Sequence, residues 1–247
     1  MTTELANELA SLIELLGFTD KGWGLQFVNA TLMTLAVTVA ALLIGAVLGA
    51  LVAWAKLSKS TPANIAGDAY VTVFRGVPEL LIIYLFYFGG SSVVTGLGSL
   101  IGLDIGMPGF LAGALGVGFI CGAYQSEVYR GAFLAVSRGE IEASKAIGMH
   151  QFMRFRRIIA PQVLRLALPG LGNVWQLSLK DSALVSVTGL SEIMRQSNVA
   201  GGSTHRFFLF YIFGGALYLV LTSLSNRAFD RAEAHFGKSL RRSVGSA

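Results

Sequence analysis

The chain has 247 residues, 30 of them glycine, with 53% apolar side chains and only 13% charged ones. A soluble domain carries about 25% charged residues, so this composition excludes a water-soluble globule. It also excludes disorder, which needs high charge and low hydrophobicity. The net charge is +5, but the basic residues are not interleaved with aromatics on a soluble module, so no nucleic-acid partner is expected.

Residues 1–20 hold Glu4, Glu8, Glu14 and Asp20 and no Lys or Arg, unlike the basic start of a cleaved secretory signal. Leu5, Leu9, Leu12, Ile13 and Leu16 recur at helical spacing, which predicts an amphipathic helix lying on the outer membrane surface. Five windows free of Asp, Glu, Lys and Arg follow, at 22–55, 80–103, 105–126, 166–179 and 207–226. A helix needs about 20 apolar residues to cross about 30 Å of hydrocarbon, and 166–179 reaches that length only if Arg165 and Lys180 snorkel. The fold class expected is all-α: a polytopic bundle of five spans, about 24–54, 68–91, 108–129, 162–181 and 206–229. These spans make up a transmembrane domain over 22–235, followed by a basic tail at 236–247. Fourteen of the 19 Lys and Arg residues fall on the side holding Lys56, Lys59, the 130–165 loop and the C-terminus, against four on the other side. That bias predicts the N-terminus outside and the C-terminus in the cytoplasm, with the tail Lys238–Arg242 held to anionic lipid. The single Cys121 can form no internal disulfide and reads as a small buried hydrophobe.

The few polar residues inside the spans are the functional candidates, because ionisable groups at membrane depth cost about 2.5–3.5 kcal/mol. Arg75 and Glu79 flank Pro78, which biases Val77 out of helix and frees carbonyls. They form either part of a translocation path or a local ion pair. Glu127 either attracts a cationic substrate or pairs with Arg130 one turn on, and the second is favoured. Asn173, Gln176 and Lys180 share one helix face. With Asp181 they are the preferred lining of the passage, and interhelical hydrogen bonding alone is the alternative. Gly170 and Gly172 allow close packing beside them. The stretch 182–194 is too short to span and reads as an outer re-entrant or gate segment.

The 138–160 loop has its own structure. Glu140 and Glu142 open a short helix that stops at Gly148, and a second short helix runs from His150 to Ile159, ahead of Pro161. Ile141, Ile147, Met149, Phe152 and Phe155 make it too apolar for a plain connector, and predict a partner surface. The spacing Glu142-Ala143-Ser144, then Gly148, then Ile158 and Ala160-Pro161 resembles the EAA loop of ATP-binding-cassette importer permeases, departing from it only at Ser144 and Ala160. Segments 74–81, 122–133 and 179–186 look like signature stretches of polar amino-acid permeases, in the branch that carries histidine, lysine, arginine and the opines octopine and nopaline. The resemblance covers about residues 25–235.

That resemblance implies a type I, methionine-permease-like fold and import of polar, above all basic, amino acids or opines across the bacterial inner membrane. It implies a coupling helix seated in an ATPase groove, with Glu142, Ala143 and Gly148 carried over, and Ser144, Ile158 and Pro161 completing the loop. The partners implied are an ATPase dimer that binds ATP and Mg, a second permease subunit (identical or related), an extracytoplasmic substrate-binding protein and lipid. No cofactor is expected in this chain. Gly237-Lys238-Ser239 is not a phosphate loop, because Ala232 stands where the first glycine is required, so the chain is expected to be a transport subunit and not an enzyme. His150, His205 and His235 show no metal-ligand spacing. An ion-coupled secondary transporter is the alternative, but no inverted repeat is visible. A non-transporting membrane scaffold is a weaker one, against which the polar residues in the spans speak.

Overall fold

The structure, a computed structural model, describes residues 14–18, 22–100 and 106–244. The expected surface helix over 1–20 lies mostly outside the described residues, as do the side chains of the basic tail. Among the described residues the chain is helical, without strands. The principal helices are α1 (Gly24–Leu57), α2 (Thr61–Gly76), α3 (Glu79–Tyr84), α4 (Gly90–Leu100), α5 (Gly109–Leu134), α6 (Arg138–Ala146), α7 (Gln151–Arg154), α8 (Ala160–Asp181), α9 (Ile193–Thr204) and α10 (Phe207–Val244). Gly24–Leu57, Glu79–Gly96, Gly109–Leu134 and Phe207–Phe236 are long and apolar enough to cross a membrane. The fourth predicted crossing, α8, has the length at 22 residues but is diluted by Arg165, Lys180 and Asp181.

The bundle is built around α5, and the reason is side-chain size. Along α1 the buried positions are mostly small (Ala30, Thr34, Ala41, Gly45, Gly49 and Ala53), while Leu25, Leu32, Leu43, Val47, Leu51 and Trp54 point outward. Both faces are apolar, so size, not polarity, chooses the packed one, as expected where the solvent is lipid. A Cβ placed on Gly45 would lie 2.8 Å from the Cβ of Cys121, and one on Gly49 2.8 Å from the Cβ of Gln125. On the other side of the seam, a Cβ on Gly118 would lie 2.8 Å from Ile44 Cγ2. The pairs advance together, so α1 and α5 run parallel. α8 is antiparallel to α5, with Gly170 against Val128 and Cys121 Sγ 2.7 Å from Ser178 Oγ. α10 is antiparallel to α8, with Gly172 against Phe229. These alternating directions are compatible with five crossings.

The second predicted crossing is not one helix. α2 ends at Gly76, Val77 is extended (φ −90°, ψ 138°), and Pro78 leads into α3. A π-helical turn at Leu85–Gly89 then joins α3 to α4. The break falls where Pro78 removes a backbone donor.

The 138–160 loop also differs in one respect from its sequence reading. α6 is a separate helix, but the second short helix continues without interruption into α8: α7 passes through a π-helical turn at Phe155–Ile159 straight into Ala160. Pro161 would collide with the carbonyl four residues back, that of Arg157. The wider π turn sits at that carbonyl, which lets the helix run through.

Candidate translocation passage and coupling surface

Four motif residues of the loop, Ala143, Ser144, Ile158 and Pro161, meet at one small groove. α6 closes with Gly148 at φ +73°. Gly148 N–H donates to Lys145 O at 2.9 Å and Met149 N–H to Ser144 O at 3.0 Å, the paired bonds of a Schellman turn that a glycine best supplies. Ser144 is buried and its hydroxyl donates to Ile141 O at 2.6 Å. Ala143, Ser144, Ile147, Ile158 and Pro161 line a groove of about 410 Å³ between α6 and the start of α8, and the Gln162 amide donates to the Glu140 carboxylate across its rim. Glu142 and Ala143 face outward. Ile147, Phe152 and Phe155 are exposed by half or more, so the protrusion carries an apolar surface that no described residue covers. The imidazole of His150 accepts from Phe152 N–H at 3.3 Å and caps α7.

The in-span candidates divide into groups. Glu127 is fully engaged: Lys56 Nζ donates to it, and Arg130 Nε and Nη2 donate at 3.1 and 2.8 Å. Lys56 also reaches Asp68 at 2.7 Å, so one charged knot ties α1, α2 and α5 at the end of the bundle rich in Lys and Arg. Arg75 and Glu79 do not form an ion pair among the described residues. Instead the Arg75 guanidinium lies over the Tyr124 ring, 5.0 Å from its centroid.

Glu79 falls within Coulombic reach of Asp181, whose other charged neighbour is Lys180. Asp181 is 9% exposed, and its Oδ2 is buried without a hydrogen-bond partner. Among the in-span candidates this is the buried carboxylate oxygen without a hydrogen-bond partner among the described residues. Asn173 and Lys180 are exposed on α8, while the Gln176 amide between them donates to Asn226 Oδ1 on α10 at 2.6 Å. The stripe is therefore real as a face, and one of its members ties two helices together.

Several participants were not singled out from sequence. Lys56 lies 71 residues from Glu127, Asn226 50 from Gln176, and Asp68 12 from Lys56 on another helix, which leaves no helical spacing to read. A further polar node joins the 182–194 stretch to two helices. Glu192 is fully buried; its Oε1 accepts from Arg195 N–H at 2.6 Å, and its Oε2 from Met194 N–H at 2.7 Å and the Tyr218 hydroxyl at 3.0 Å. Ile193 N–H donates to Thr34 Oγ1 on α1. A helix N-terminus capped by a buried carboxylate in a segment too short to span is the one sequence cue to this node.

A glycine-seamed membrane bundle with polar groups at depth and an apolar protrusion beside them defines a transport subunit. Residues 45–238 match the family described as binding-protein-dependent transport system inner membrane component, and the chain belongs to that family. It is 53% identical over 234 residues to the octopine transport system permease protein of Rhizobium meliloti, covering 94% of this chain and 99% of that one. It is 45% identical to the nopaline transport system permease protein of Agrobacterium fabrum, over 93% and 98% of the two chains. It is 36% identical to the histidine/lysine/arginine/ornithine transport system permease protein of Escherichia coli, over 90% and 97%. Among solved structures, an amino acid ABC transporter with histidines aligns at a TM-score of 0.73 and 32% identity, covering 86% of this chain and 95% of that one. The methionine transporter MetNI shares the fold at a TM-score of 0.71 and 18% identity, covering 87% and 97%. The chain is thus an inner-membrane permease of type I fold.

Proposed function

We propose that this permease carries polar, above all basic, amino acids or opines inward, as one half of a passage completed by a second permease subunit. An ATPase dimer docks on the protrusion at Glu142–Gly148, binds ATP and Mg, and does the hydrolysis. A substrate-binding protein delivers cargo to the opposite face. The N-terminus lies outside and the C-terminus in the cytoplasm. The named cargoes of its relatives, octopine, nopaline and basic amino acids, support the substrate class.

The observation that carries the reading is the buried Asp181 Oδ2, which has no hydrogen-bond partner among the described residues. A buried carboxylate oxygen left unsatisfied is costly unless a cation joins it. The α-amino group or the cationic side chain of a basic substrate is such a cation, and Asn173, Gln176 and Lys180 continue the polar face. Glu127 belongs to the frame and not to the path, since three donors already occupy it.

The geometry also supplies a lever. α8 begins at the coupling groove and ends at Asp181, 22 residues later, a length of about 33 Å. When ATP draws the two ATPases together, the paired protrusions move together, α8 moves with the groove it helps to form, and the passage opens outward. Hydrolysis resets it. The test is labelled arginine uptake into proteoliposomes holding the whole complex, with Asp181→Asn beside wild type. The expected result is a KM raised at least about tenfold, with basal ATP hydrolysis kept. Unchanged arginine uptake by the variant would overturn the role given to Asp181.

A further inference from the structure

Glu79 opens α3 and Asp181 closes α8, and Cys121 of α5 meets Ser178 of α8, one turn before Asp181, with Sγ 2.7 Å from Oγ. One turn from Cys121 toward the Lys/Arg-rich end is Tyr124, and one turn back from Glu79, across the Pro78 break, is Arg75. The Arg75 guanidinium lies 5.0 Å from the centroid of the Tyr124 ring. Tyr124 packs on the cluster of Ile83, Cys121, Val174 and Val185, so the ring is a fixed platform. Arg75 is exposed and rides on the last turn of a helix that stops at Gly76, where a Cβ would meet nothing within 4 Å.

Tyr124 stands one turn inside Glu127 on α5, so this cation lies just within the bundle from its Lys/Arg-rich end. A guanidinium exposed there cannot face lipid cheaply, and among the described residues no carboxylate is within ion-pair distance of it. It faces the passage.

We propose that Arg75, resting on Tyr124, is the cytoplasmic-side closure of the passage: a cationic latch beneath Asp181, which must leave the ring before cargo moves inward. This rests on the reading above that Asp181 lines that passage. A cationic cargo held by that carboxylate meets a like charge below, and cannot descend until Arg75 swings aside. The free space at Gly76 and the extended Val77 give that swing its room. The tyrosine face holds the guanidinium without an anion, so no ion pair has to be broken to release it.

The experiment traps the complete complex, with its ATPase and binding protein, in proteoliposomes with a non-hydrolysable ATP analogue, so that the outer side is open and the latch is the remaining barrier. Efflux of preloaded rubidium and of labelled arginine is then followed. Wild type is expected to retain both. Arg75→Ala and Tyr124→Leu are each expected to leak about tenfold faster, while Arg75→Lys, which keeps a cation for the ring, stays near wild type. Variants are compared at equal yield of assembled complex, and Tyr124→Leu carries the test if Arg75→Ala does not assemble. Leak rates equal to wild type in both variants, or a leak in Arg75→Lys as large as in Arg75→Ala, would overturn the latch. If wild type fails to take up arginine while Arg75→Ala leaks rubidium, the basic-cargo reading falls and the latch stands. If arginine uptake is robust and neither variant leaks, the reverse holds.

Discussion

Lys56, Asp68, Glu127 and Arg130 show how one carboxylate is assigned to structure and another to transport. Glu127 accepts from two cations, one of them also held by Asp68, so removing its charge leaves Lys56 with Asp68 alone where α1 meets α5. Glu127→Gln is expected to destabilise the permease by about 1–3 kcal/mol, read as a lower melting temperature of the purified complex in detergent, with the KM for arginine unchanged. A raised KM at an unchanged melting temperature would place Glu127 in the path instead. The pairing with Arg130 was legible at three-residue spacing, whereas Lys56 and Asp68 were not, because the contact exists only once the helices pack. The same limit hid Tyr124 as the partner of Arg75: nothing local says which ring a guanidinium will find. Asp181 was legible as a charge at a span end, but its burial and its proximity to Glu79 were not.

At the scale of elements, the parallel seam between α1 and α5 depends on the absence of side chains at Gly45, Gly49 and Gly118. A leucine at Gly118 would press on Ile44, whose Cγ2 lies 2.8 Å from the first added carbon. Gly118→Leu is therefore expected to cost about 1–3 kcal/mol and to lower the yield of folded permease. Gly215→Ala, where a Cβ meets nothing within 4 Å, is expected to leave it unchanged. Gly148 is different in kind: its positive φ makes Gly148→Ala a strain of about 1 kcal/mol on the end of α6. This should appear as weaker stimulation of ATP hydrolysis by loaded binding protein, and Gly148→Pro should abolish stimulation. The helical content and the break at Pro78 could be read from charge-free windows and one proline. The passage of α7 into α8 could not, because a π turn leaves no mark in residue type, and Pro161 pointed to a fresh helix start. α8 has the length of a crossing at 22 residues, but Arg165, Lys180 and Asp181 lower its hydropathy, and Lys180 and Asp181 are the charges proposed to line the passage.

At the scale of the molecule, one helix, α8, joins the proposed coupling groove to the carboxylate proposed to hold cargo. A lone chain exposes Asn173 and Arg75 within the predicted spans, which is costly in lipid and is expected to be relieved when a second permease closes the passage. Purification at gentle detergent concentration is expected to yield two permease chains per complex, and mass measurement checks it. An ion-coupled carrier, the other class considered for such a bundle, would work from this chain without a nucleotide. The most direct measurement is therefore arginine uptake by proteoliposomes of the reconstituted complex with ion gradients collapsed, in the presence and absence of the ATPase subunit. The expected result is uptake that needs ATP, the ATPase and the binding protein together. Uptake that persists without the ATPase, or that follows an imposed ion gradient, would contradict the account.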